Sequence, residues 1–156
     1  MSRLVVAGSL SVVVMLAGCG GSGRLSASDY RAKLAAFNKE VDTAETHAQA
    51  AATQAQNVAQ IRAALTQVAV VQDRVGDAVE KLKPPKDAES ANKLLARGAH
   101  DIASETRAVL PALASVKTPL QALALLQQRL GSAPKGAREL DLAVAELKKL
   151  GYSAGS

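Results

Sequence analysis

Apolar residues recur at Tyr30, Leu34, Phe37, Val41, Ala44, Ala48, Ala51 and Ala55. Steps of four and three put them on one face of an α-helix. Ser26 and Asp29 stand at capping-box spacing before it, predicting a first helix over about 28–55. A second stripe runs through Val58, Ile61, Leu65, Val68, Val75, Val79 and Leu82, with Gln72 at one seam position. Its phase does not continue the first: extension would put Arg62 in the seam, where the chain offers Ile61. A turn near Gln54 to Asn57 accounts for the shift, and a stammer within one long helix is the alternative.

Lys83-Pro84-Pro85-Lys86 ends the second helix, because proline lacks a backbone donor and disfavours helix in the residue before it. Pro85 or Asp87 opens a third, with the stripe Ala88, Ala91, Leu95, Ala99, Ile102, Thr106, Val109, Leu113 and Val116. Pro111 lies inside it and predicts a kink or an early end. Thr118, Pro119 and Gln121 form a restart signal, followed by Leu120, Leu123, Leu126 and Leu130. Gly131 to Pro134 interrupts, and a last segment near 136–150 carries Leu140, Val144, Leu147 and Leu150 up to a stop at Gly151. The pattern predicts an all-α fold: an antiparallel up-down-up-down bundle of four arms, the fourth broken near 131–136, with residues 152–156 a frayed tail.

Before this domain the chain has another character. Arg3 precedes an apolar run, Leu4 to Leu16, and the small residues Ala17 and Gly18 lead to Cys19, the only cysteine. As a helix, residues 4–18 would span about 22 Å, short of a ~30 Å hydrocarbon core. The layout is that of an export signal. Leu16-Ala17-Gly18-Cys19 resembles the lipobox of a bacterial lipoprotein precursor. The resemblance implies that the Cys19 thiol receives a diacylglycerol, that residues 1–18 are removed, and that the new amine is open to acylation. Two or three acyl chains anchor stably where one is marginal. Residues 19–27 then read as a lipidated N-terminus and flexible Gly/Ser tether, leading to a domain at 28–151.

The remainder also resembles small all-helical lipoproteins of high-GC Gram-positive bacteria. The carrying features are Asp29-Tyr30-Arg31-Ala32-Lys33, Leu82-Lys83-Pro84-Pro85 and Leu150-Gly151-Tyr152. The resemblance implies a location at the extracytoplasmic face of the cell membrane. It supplies no activity.

Charge and composition narrow the chemistry. Without Arg3 the chain carries 18 basic and 14 acidic residues. It has no dense basic run and no aromatic platform, which argues against nucleic acid as a partner. One cysteine excludes an internal disulfide and a Cys-rich zinc site. No Glu-x-x-His pair, nucleophile elbow, phosphate loop or dinucleotide fingerprint occurs. His47 and His100 have no ligand partner at a matching step beyond Glu40 and Ser104. No catalytic residue, cofactor or metal ligand is therefore assigned, and Cys19 is the one site residue.

Topology adds an expectation about the two ends. Helix one would rise from the membrane and helix two return, placing the Pro84-Pro85 turn and the C-terminus near the lipid. Arg24, Arg31, Lys33, Lys81, Lys83, Lys86, Lys148 and Lys149 would gather there among five acidic residues, a modest fit to an anionic surface. The outer end, Ala48 to Ile61 with Thr118 to Gln128, is uncharged and reads as a packing surface or a partner contact. The function expected is a non-catalytic binding or spacing module of the cell envelope, meeting an envelope protein as partner. The alternative is a ligand-sensing bundle with a pocket near Gln72, Thr106 or His100.

Overall fold

The computed structural model describes residues 23–131 and 134–152, and all regular structure among them is helical. Cys19, the export signal and residues 153–156 lie outside the described residues. Side-chain caps set most of the helix starts. Ser26 Oγ accepts from the Asp29 amide at 3.1 Å and opens α1, Ala27–Gln54. Asn57 Oδ1 accepts from the Gln60 amide at 3.1 Å and opens α2, Val58–Glu80. The phase shift between the two stripes is thus a turn. A single 3₁₀ turn, Lys86–Ala88, follows the two prolines and leads into α3, Glu89–Leu113, which runs through Pro111. Thr118 caps α4, Pro119–Leu130, and α5 spans Lys135–Lys149.

The helices pack as neighbours in a row, α1 on α2, α2 on α3 and α3 on α5, while α4 rests at one end of the α2–α3 pair. Because α3 lies between α2 and α5, it buries two stripes. Asn92 and Ala96 are buried towards α1 and α2, and Gly98 towards α5, positions a single-face reading misses. At Gly98 and Gly136 the backbones of α3 and α5 nearly touch: a Cβ on Gly136 would lie 2.6 Å from the Ile102 nitrogen and 2.7 Å from the Gly98 oxygen. Lys135 fastens the start of α5, its amide donating to Glu105 Oε1 at 2.9 Å and its ammonium meeting Asp101 at 2.7 Å.

The stripe expected for α4 is out of phase. Leu120 is 78% exposed, and the one buried residue of α4 is Ala122, packed with Ile61 and Leu113. A twelve-residue helix lying across a pair of others buries only the residues over their groove, so its leucines need not all turn inward.

The start of α1, the Pro84–Pro85 turn and the end of α5 meet at one end, termed the closed end below. The Tyr30 hydroxyl donates to Asn92 Oδ1 at 3.1 Å, and Asn92 Nδ2 donates to the Val79 carbonyl at 2.9 Å. One buried amide thereby joins α1, α3 and the last turn of α2, where carbonyls lack helical partners. Gly151, at φ +78°, lets the Tyr152 amide reach the Leu147 carbonyl at 2.8 Å and the Gly151 amide reach that of Lys148. This is the two-bond helix stop that only glycine adopts cheaply.

That stop swings Tyr152 inward. Its ring meets Tyr30 edge-on at 5.5 Å, and its hydroxyl donates to Asp87 at 3.0 Å. Tyr152 is therefore core, and assigning it to a frayed tail is corrected. The tether boundary is corrected too. The Leu25 amide donates to the Lys83 carbonyl at 2.8 Å, Arg24 donates to the Pro84 carbonyl at 2.9 Å, and Arg24 pairs with Glu89. Residues 24–27 are fixed to the domain.

Asn92→Ala strands the Tyr30 hydroxyl and removes one of the two donors to the Val79 carbonyl, which keeps the Leu82 amide at 3.1 Å, so urea unfolding should show a loss of about 2–4 kcal/mol. Tyr30→Phe, which strands only one acceptor, should cost less. Burial first, and the neighbouring Tyr152 second, push the Tyr30 phenol up to about 12 from 10.0. The protonated form is favoured by the fold, so its contribution is complete below pH 10.0 and is lost as pH rises towards 12. Tyrosinate absorbance should show Tyr30 ionising together with alkaline unfolding, whereas a normal titration in the folded protein would contradict the burial.

Candidate functional site: an apolar cleft between α1 and α5

The row of helices does not close on itself. α1 leans on α2 and α5 on α3, yet α1 and α5 are not packed together along their lengths. Between them lies a cleft of about 260 Å³. Leu34, Phe37 and Val41 of α1 form one wall, and Leu140, Val144 and Leu147 of α5 form the other. Val75 and Val79 of α2 and Leu95 of α3 make the floor, and Tyr152 stands at the closed end. The tyrosine pair acts as a hinge pin there, and Arg31 adds a bond from α1 to the Gly151 carbonyl at 3.3 Å. Val144 is 57% exposed on the rim.

Polar groups in the cleft are few. Asn38 lies on the rim and Gln72 in the floor. Gln72 is buried, and its amide reaches Glu45 Oε1 at 3.4 Å, linking α2 to α1. Burial, and next the charge of Asp42, raise the Glu45 carboxyl above its ordinary value, partly offset by the Gln72 bond. Tyr152 is the one ionisable residue lining the cleft, and its phenol is engaged with Asp87. The lining therefore offers a desolvated apolar surface with two amides, and neither a nucleophile nor a base to activate one. An apolar cavity of this kind favours compact apolar ligands over water. Its volume falls just below the usual range for drug-sized ligands.

The residues weighed in the sequence separate. Gln72 lines the cleft, while Thr106 is buried in α3 outside it and His100 belongs to another cluster. His47 is exposed on α1, over a shallow hollow shared with Glu40 and Arg74. His100 is half-buried between Asp73 and Asp77 of α2. At the outer end, Ile61, Leu113 and Ala122 form a packed cluster, while Leu120 and Leu123 remain exposed beside it. No described helix is long and apolar enough to cross a membrane.

Sequence reasoning missed Asn92, Val144's place on a rim, and the carboxylates around His100. The apolar stripe of α5 was a usable signal for Val144, but a stripe does not say whether its partner helix is in contact.

Comparison with known proteins returns no match: no family model, no curated protein and no solved structure corresponds to this chain.

Because Phe37 lines an open cleft and is only half-buried, Phe37→Ala should cost about 1–2 kcal/mol in urea unfolding. A closed core would lose about 3–5.

Proposed function

We propose that the protein is a lipid-anchored, non-catalytic binding module at the extracytoplasmic face of the cell membrane, and that the α1–α5 cleft is its ligand site. The observation that carries the second half is the cleft itself: an apolar hollow between two helices that meet at the closed end and are not packed along their lengths. The ligand class it favours is a compact, uncharged, largely apolar molecule, oriented by a hydrogen bond to Gln72 or Asn38. The anchor rests on Leu16-Ala17-Gly18-Cys19. Cys19 carries the diacylglycerol, and residues 1–18 are absent from the mature chain.

The wider architecture is a four-arm bundle in which α4 and α5 together form the fourth arm. The closed end lies next to the bilayer. Arg24 and Leu25 are held against Lys83 and Pro84, so four residues separate Cys19 from the held segment. Four extended residues reach at most about 14 Å. Lys33, Lys81, Lys83, Lys86, Lys148 and Lys149 surround that end and favour an anionic lipid surface. An envelope protein docking beside the cleft is the partner this arrangement suits.

Two measurements test the reading separately. Radiolabelled palmitate should enter the wild-type chain in a lipoprotein-processing host and be absent from Cys19→Ser; equal labelling of both removes the anchor. Purified Cys19→Ser protein should take up the neutral fluorophore N-phenylnaphthylamine saturably at one site. Val144→Trp fills the rim and should weaken that uptake at least tenfold without lowering Tm. Non-saturable uptake, or uptake indifferent to Val144→Trp, removes the ligand site.

A further inference from the structure

Outside the cleft, His100 of α3 lies flat over Gly76 of α2. A Cβ at position 76 would come within 2.8 Å of the ring nitrogen Nε2, so the ring takes its place only because residue 76 is glycine. Asp73 and Asp77 flank Gly76 on the same helix. His100 Nδ1 is 3.2 Å from Asp73 Oδ1, and the other Asp73 oxygen pairs with Arg107. A carboxylate facing Nδ1 keeps a proton on that nitrogen.

Nε2 is then the ring's free lone pair, and it points at more negative charge. Asp77 Oδ1 is 3.6 Å away, too far for a good hydrogen bond. One ligand atom each from Asp77, Glu80 and His100 lie within 4.8 Å of one another. In a tetrahedral site with bonds near 2.0–2.1 Å, neighbouring ligand atoms are separated by about 3.3 Å. The spacing between Nε2 and Asp77 is close to that without any backbone movement. The set is one imidazole, a borderline donor that favours zinc and its neighbours over calcium or magnesium, and two carboxylates, which zinc also accepts. Asp73 stands where an outer carboxylate orients a metal-bound histidine.

We propose that His100 Nε2, Asp77 and Glu80 bind one divalent transition-metal cation of the zinc type, with Asp73 as the positioning residue. The two carboxylates balance the charge of the cation, and the solvent side of the site leaves a fourth position for water. The site joins α2 to α3 and is separate from the cleft, so it stands whether or not the cleft takes a ligand.

Isothermal titration of the full chain with zinc chloride tests it, in a Cys19→Ser background so that no thiol competes. The expected result is one saturable site at sub-millimolar zinc and a rise in Tm. Proton–nitrogen NMR should show His100 Nε2 metallated with Nδ1 still protonated. His100→Ala should abolish binding, and Glu80→Gln, an exposed change that keeps the fold, should weaken it at least tenfold. Asp73→Asn should weaken it roughly 10–100-fold and disturb the Nδ1 proton signal. His47→Ala should change nothing. Absence of saturation up to millimolar zinc, binding retained in His100→Ala, or an imidazolium simply shared between Asp73 and Asp77 overturns the proposal.

Discussion

The buried amide of Asn92 ties three helices with two hydrogen bonds. Tyr30 approaches it from α1, and the Val79 carbonyl accepts from it at the end of α2. Inside a low-dielectric core such a node is costly to leave half-made, so it fixes the relative positions of the elements it joins. The tyrosine pair then extends the constraint to the residue after α5. Every other helix contact can be read from this end. α1 and α5 are held together here and diverge beyond, and the cleft is the space the divergence leaves. A core rich in alanine strengthens the effect. Ala88, Ala91, Ala99 and Ala103 let helices approach closely, but they bury little area each.

Much of the helical plan was readable before any coordinates. The caps at Ser26 and Thr118, the Gly151 stop and the turn before Val58 all follow from local rules in which side chain and backbone lie within a few residues. The stripes of α1 and α2 found their buried faces for the same reason. What escaped involves distant residues or competing neighbours. Asn92 lies beside the expected stripe, next to Ala91, and its partners Tyr30 and Val79 come from two other helices. Tyr152 looked like a tail because its contacts, Tyr30 and Asp87, are 122 and 65 residues away. Leu120 followed helical periodicity on a helix whose partner surface is too narrow to use it.

The candidate site was legible only in outline. Gln72 drew notice as a polar residue in an apolar seam, and it does line the cleft. Whether an apolar stripe ends in a closed core or an open hollow depends on the angle between helices. That angle is set at Gly98 and Gly136, where α3 and α5 come into backbone contact, and at the tyrosine hinge. Neither is a pattern in the stripe itself. The surroundings of His100 were invisible for a similar reason. A search for ligands at helical steps stays on one helix, and the carboxylates around His100 come from another, 20 to 27 residues earlier.

The outer third of α1 has a consequence of its own. After Ala44 no residue of the helix is buried, and the last ten residues present mainly small, half-exposed alanines to their neighbours. Such a segment gains little from tertiary contact, and an isolated stretch of that length is marginal as helix in water. Its amides belong to the low-free-energy end of the native-state hydrogen-exchange spectrum, while those around Tyr30 report global unfolding. The molecule is thus a rigid clasp with a fraying arm. The fraying segment begins beyond Val41, the last α1 residue of the cleft, so it can loosen without disturbing the cleft wall or the node that holds the helices together.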